Sequence, residues 1–177
     1  MATSVGLLLV KQKSKRLPNK NLLPYKGEPM YMANVRKCLK IFDEVYVSSD
    51  SEEVLDNVEH IGAIGILRSN HLCGECPNIP VYHHAIGFMN PTDAIVAVQA
   101  NSPTIEPEVI LKVKEHIENG ADEVMTCHPN GEIYGSVWGI SMKKLKEYKD
   151  PRNPMPGILV VDNSIDIHTL EDYNKVI

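Results

Sequence analysis

Aromatic side chains are scarce in this sequence. They make up 6% of its 177 residues, with one tryptophan and two phenylalanines, so a core built here must be aliphatic. Long apolar runs are missing too. The N-terminal run Val5–Val10 has Gly6 inside it and falls far short of the ~18 residues a membrane helix needs. It is also too short for the apolar core of a secretory leader and lacks a cleavage-like flank. The four cysteines, Cys38, Cys73, Cys76 and Cys127, are scattered, a usage that suits a reducing cytoplasm better than a disulfide framework. Excess positive charge is absent: the formal net charge is −5, which argues against a broad nucleic-acid-binding face. No internal repeat or low-complexity tract is present. The expectation is a single domain over residues 1–177, cytoplasmic, with no membrane segment and no nucleic-acid partner.

What is present is an alternation of apolar, β-rich runs with amphipathic segments, the rhythm of βαβ units around a mostly parallel sheet. Strands are expected at Val5–Val10, Glu44–Ser48, Ala63–Leu67, Ala94–Val98, Glu123–Cys127, Ile133–Ile140 and Gly157–Val161. Helices are expected at Met30–Leu39, Ser51–Val58, Ile79–Met89, Pro107–Asn119, Ser141–Tyr148 and Thr169–Val176. Within Pro107–Asn119, Val109, Ile110, Val113 and Ile117 recur at helical spacing and Gly120 supplies the stop. Thr169 is a natural N-cap, with Asp172 at the third helical position. The proline-rich stretch Asp150–Pro156 reads as a loop. In such a sheet, right-handed crossovers put the loops after the strand C-termini on one edge, where open α/β sheets bind ligands.

The loop after the first strand, Lys11–Asn21 (KQKSKRLPNKN), concentrates five cations in an acidic chain: Lys11, Lys13, Lys15, Arg16 and Lys20. Cations with backbone N–H donors are the physical answer to a triphosphate. Ser14 adds a hydroxyl, and Pro18 stiffens the loop, so less entropy is lost on binding. The glycines and GK[ST] ending of a Walker loop are absent. The competing reading is a solvated basic turn.

The segment S-K-R-L-P-N-K-N-L, followed by K-G-E-P-M, resembles the signature of the sugar-acid cytidylyltransferases, the CMP-sialic acid synthetases and their relatives acting on 3-deoxy-manno-octulosonate. The resemblance continues in order through VSSDSEE (Val47–Glu53), VQANSP (Val98–Pro103), GAD (Gly120–Asp122), NGEIY (Asn130–Tyr134) and SIDIHTLED (Ser164–Asp172). It implies a Rossmann-like three-layer fold of the nucleotide-diphospho-sugar transferase (GT-A-like) type. The implied activity is a Mg²⁺-dependent transfer of CMP from CTP to a small anionic sugar, with release of pyrophosphate. By the same resemblance, Lys11 takes the place of a family arginine that meets the triphosphate. Ser14, Arg16, Lys20 and Asn21 match the phosphate- and base-binding loop, and Ser48 and Asp50 line the nucleotide side. Gln99 and Ser102 sit near the ribose and the acceptor, and Asp166 matches a metal-binding aspartate. Lys20 and Arg16 would stabilise charge on the leaving pyrophosphate.

Two departures bear on these expectations. Where the family has a second aspartate, in I-D-I-D, this sequence has His168, a poor Mg²⁺ ligand better suited to Zn²⁺ or Mn²⁺. Either Asp166 alone holds the metal, or His168 shares it and the metal differs, or His168 is a surface substitution. In addition, Cys127-His128-Pro129 runs straight into Asn130-Gly131, where the sialic-acid enzymes carry an insertion that builds the dimer interface; a monomer or weak dimer is expected. A binding-only homologue, or a transferase using another nucleotide or acceptor, stands as an alternative. His71-x-Cys73-x-x-Cys76 with His83 and His84 is either a zinc site or a plain loop. Cys38, Cys127 and Trp138 are assigned to the core. Glu52 and Glu53 belong to a helix start, as does Asp50 unless the pocket recruits it.

Overall fold

A computed structural model describes residues 1–74, 76–149, 154 and 156–177. Of the expected loop Asp150–Pro156, only Pro154 and Pro156 are among the described residues. Seven strands form one sheet: β1 (Ser4–Val10), β4 (Val45–Ser49), β5 (Ile64–Leu67), β6 (Ala94–Val98), β7 (Glu123–Cys127), β8 (Ile133–Ser141) and β9 (Ile158–Val161). A separate two-stranded hairpin, β2 (Pro24–Tyr25) and β3 (Glu28–Pro29), lies outside it. The sheet order is β5-β4-β1-β6-β8-β7-β9. Every pairing is parallel except those of β8, which runs antiparallel to both its neighbours.

Helices cover both faces. α1 (Tyr31–Ile41), α2 (Glu52–His60) and α4 (Pro107–Glu118) pack on one side, and α3 (Asn78–Ile86) and α5 (Met142–Glu147) on the other. Period-2 alternation in the strands explains this division. In β1, Leu8 and Val10 point to the first face, while Val5 and Leu7 point to the second. The central β6 (AIVAV) is buried throughout, as a run apolar on both faces must be. The cores are aliphatic, as the low aromatic content requires. A few aromatics join them, Tyr31, Phe42, Tyr46, Tyr82 and Trp138; the Trp138 Nε1 donates to Glu123 Oε1 at 2.8 Å beneath edge-on Tyr82 and Tyr148. Cys38 is fully buried, and burial pushes its thiol up to about 12.

Caps appear where their residue types predict them. The last helix, α6 (Leu170–Asn174), opens with a capping box between Thr169 and Asp172, and the Ser51 hydroxyl accepts the N–H of Val54 in α2. The helix expected over Ile79–Met89 is shorter, Asn78–Ile86. Pro80 sits harmlessly in its first turn, where a missing N–H costs nothing. The hairpin β2–β3 was not expected, because its strands are too short for a periodic signal; its turn uses positive φ at Lys26 (50°) and Gly27 (83°). Between β7 and β8 the chain turns directly, with His128 N–H on Glu132 O and Gly131 N–H on His128 O, both 2.8 Å. Among the described residues no helix is long and apolar enough to cross a membrane.

Gly139 of β8 marks where α4 presses hardest on the sheet. A Cβ there would lie 2.5 Å from Ile117 Cγ1 and 2.8 Å from Val113 Cγ1, and both partners are stiff, β-branched side chains. Gly139→Ala is therefore expected to cost about 1–3 kcal/mol, read as a lower urea midpoint; an unchanged midpoint would show that α4 is free to move away.

A cationic cleft at the C-terminal edge of the sheet

β1 and β6 are adjacent and parallel, so their C-terminal ends emerge side by side. Lys11 leaves one and Gln99 the other. Together with Arg68, Lys20, Asn101, Asp166 and others, they line a cleft of about 250 Å³. A second cavity of about 300 Å³, lined by Lys11, Ser14, Lys15, Arg16, Leu17, Lys20 and Asn21, shares Lys11 and Lys20 with it. A larger cavity, about 410 Å³, lies between the hairpin, α1 and the segment 103–107. Three of its charged side chains are engaged within the protein: Arg36 pairs with Glu28, and Lys37 Nζ donates to Asn34 Oδ1, Pro103 O and Ile105 O.

The basic loop is folded by its own polar groups. Ser14 donates its hydroxyl to Leu17 O and accepts the Lys20 N–H at 3.3 Å. Asn19 takes a left-handed conformation, φ 53°, that asparagine tolerates, and a 3₁₀ turn, Lys20–Leu22, follows. Asn21 is buried; its Nδ2 donates to Lys11 O at 3.0 Å, and its Oδ1 has no partner among the described residues. Burial holds the Lys20 ammonium below the ordinary lysine range; nearby Asp166 opposes this, while Arg16 and Lys11 reinforce it. Three cations and one carboxylate thus sit within electrostatic reach of one another.

Arg68, the first residue after β5, was not singled out in the sequence. It is buried, yet it lines the cleft. Its Nε donates to Ser48 Oγ at 3.1 Å and one terminal nitrogen to Ser48 O at 3.2 Å. Burial lowers its pKa, which Asp50 counters. The position of Ser48 corrects an expectation: it is fully buried and does not line the cleft, but holds the arginine that does. Asp50 accepts the Gln12 N–H at 2.9 Å, tying the start of the basic loop to the end of β4. The signal for Arg68 was positional: a lone arginine at the C-terminus of a parallel strand.

Gln99 donates Nε2 to Gly135 O at 3.0 Å and remains on the cleft wall. Ser102 is a second correction. It is fully buried, 2.9 Å from the Tyr134 hydroxyl, and is not part of the cleft wall. Its neighbour Asn101, overlooked in the sequence, donates to Asp166 Oδ1. Asp166 Oδ2 lies 2.6 Å from His168 Nε2, and His168 Nδ1 is buried without a partner among the described residues. His168 therefore leans on Asp166, and both line the cleft. Asp166 is the one carboxylate among the described residues lining the cleft. It fits a hard cation as a single-carboxylate site that phosphate oxygens and water would complete. The zinc alternative is not supported: His83 Nε2 is turned 2.8 Å from Leu145 O, and among the described residues no three His, Cys, Asp or Glu side chains gather around a point.

Residues 5–153, most of the chain, match the family profile described as cytidylyltransferase. The chain belongs to the cytidylyltransferase family. A 3-deoxy-manno-octulosonate cytidylyltransferase from a Nitratiruptor species is 34% identical over 116 residues, 64% of this chain and 48% of the relative. This cytidylyltransferase-family chain spans about half the length of the curated relatives it matches. Solved structures share its fold, two of them informative here. One is a CMP:2-keto-3-deoxy-manno-octonic acid synthetase complexed with CTP, at TM-score 0.76 and 17% identity, covering 99% of this chain and 97% of that one. The other, a Mycobacterium tuberculosis protein in complex with manganese, has TM-score 0.74 and 17% identity, covering 98% and 97%. These neighbours have the Rossmann-like fold expected from the sequence.

Because burial lowers the pKa of Lys20, its charge is lost at a lower pH than that of an ordinary lysine. Affinity for inorganic tripolyphosphate should then fall as pH rises through the alkaline range. In Lys20→Arg the guanidinium stays protonated, so the fall should move to higher pH. Coincident profiles for the two proteins would remove Lys20 from the anion site.

Proposed function

We propose that this chain binds CTP in the cleft and transfers CMP to a sugar acid of the 3-deoxy-manno-octulosonate or sialic-acid type, releasing pyrophosphate. One observation carries the reading: Lys11, Arg16 and Lys20 converge with Asp166 at the edge where β1 and β6 end. The nature of the Nitratiruptor relative and the CTP bound in the octonic acid synthetase support it.

Transfer of a nucleotidyl group is chiefly a matter of positioning and charge neutralisation. The acceptor hydroxyl attacks the α-phosphorus in line and gives up its proton, and the bond to pyrophosphate breaks. Lys11 and Lys20 lie between the two cavities, where they meet the triphosphate; Arg16 and Lys20 offset the charge that grows on the leaving group. Arg68 offers the remaining donors of its guanidinium to the base and ribose side, and the unpartnered Asn21 Oδ1 offers an acceptor to an amino group. Gln99 lies between ribose and acceptor. Asp166 would hold a divalent cation, Mg²⁺ in our assignment, which supplies charge neutralisation at the phosphates. The manganese bound by the mycobacterial neighbour supports a divalent ion.

One observation favours a binding-only reading: both oxygens of Asp166 are already engaged, by Asn101 and His168. Pyrophosphate release separates the two. With CTP, Mg²⁺ and a panel of sugar acids, release should occur with one acid and not with ATP, GTP or UTP; binding of CTP without release from any acid would establish the binding-only protein. In the active case, Lys20→Ala should cut turnover far more than stability, and Asp166→Asn should abolish metal-dependent release. His168→Asp should leave Mg²⁺ use equal or better, and a large loss there would give the histidine its own role.

A further inference from the structure

The cleft's carboxylate is carried on residues 162–168, and this segment has a buried root. Asp162 follows β9 directly and is 1% exposed. Its Oδ2 accepts the hydroxyl of Ser136, from β8, and that of Ser164 at 2.5 Å; its Oδ1 accepts the Ser164 N–H at 2.9 Å. No cation among the described residues lies within ion-pair distance of it. A buried carboxylate is costly unless donors surround it, and here hydroxyl and amide donors do so. Asp162 is not among the residues lining the cleft.

From this root the segment is laced to the end of β6. Ser164 Oγ lies 3.5 Å from the Tyr134 hydroxyl, which is 2.9 Å from Ser102 Oγ. Ile165 N–H donates to Thr104 Oγ1 at 3.0 Å and Ile167 N–H to Asn101 O at 2.9 Å. Asp166 therefore sits on a segment fixed at one end by a buried carboxylate and along its length by β6's extension.

We propose that Asp162 is a positioning residue whose buried carboxylate fixes the 162–166 segment, so that Asp166 faces the cleft where a divalent cation and the phosphates of the nucleotide meet. The proposal rests on the reading of Asp166 as the metal carboxylate. Groups that orient a ligand from behind commonly change metal affinity by about 10- to 100-fold when removed.

The test is CTP binding by calorimetry, with and without Mn²⁺, for the wild-type chain, Asp162→Asn and Ser136→Ala, each checked for folding by thermal unfolding. Mn²⁺ should tighten CTP binding to the wild type. Asp162→Asn should lose about tenfold of that gain while keeping the metal-free affinity; Ser136→Ala, which removes one donor to Asp162 outside the cleft lining, should lose a smaller part. If the wild type responds to Mn²⁺ and a folded Asp162→Asn responds equally, the positioning role is wrong. Should Asp162→Asn fail to fold, an undiminished Mn²⁺ response in Ser136→Ala overturns it. An equal drop in metal-free CTP affinity marks a general structural role and overturns it also. A wild type that binds CTP with no Mn²⁺ response overturns the reading of Asp166 itself, and this inference with it.

Discussion

Everything at the cleft depends on β1 and β6 being parallel neighbours. Parallel pairing sends both C-termini to the same edge, so the loop that carries the cations and the segment that carries Gln99 and Asn101 start side by side. The antiparallel β8 then pairs with β6 on its other flank and delivers Tyr134, Gly135 and Ser136 to that edge. Parallel β7 and β9 return the chain there once more, so that Asp162 to His168 fold back onto β6's extension. Four passes of the chain thus end within reach of one cleft, and no single loop has to be long.

Electrostatics complete what topology begins. The chain is acidic as a whole, yet Lys11, Arg16 and Lys20 are held together tightly enough that burial lowers the pKa of Lys20. Like charges gathered without an anion are unfavourable, and a polyphosphate relieves that repulsion; the gain on binding is built into the unliganded loop. Arg68, pinned by Ser48, adds a guanidinium that needs no reorganisation. Lys37 and Asn34 stiffen the same region from behind by occupying the carbonyls of Gln99, Ser102, Pro103 and Ile105.

Much of this was legible in the residues. Strands apolar on both faces announced a parallel sheet, and β6 and β7 fall at their expected limits. The clustering of Lys11 to Lys20 announced a concentration of positive charge at one edge, because charge density is a local property of sequence. Roles that depend on side-chain direction were not legible. Ser48, in β4, and Ser102, in the segment after β6, point into the protein, where Arg68 and Tyr134 take their hydroxyls. Arg68 and Asn101 carried no motif of their own; their importance comes from long-range neighbours, Ser48 and Asp166. Likewise His168 occupies a ligand's place in the sequence but spends its Nε2 on Asp166. Histidines and cysteines spaced for zinc diverged because helix α3 turns His83 toward α5.

The most direct measurement is a crystal structure of this chain with CTP and a divalent cation. The account places the phosphates against Lys11, Arg16 and Lys20, the metal on Asp166 and the base beside Arg68. Phosphates bound away from Lys20, or a nucleotide lodged in the cavity between the hairpin and α1, would contradict it.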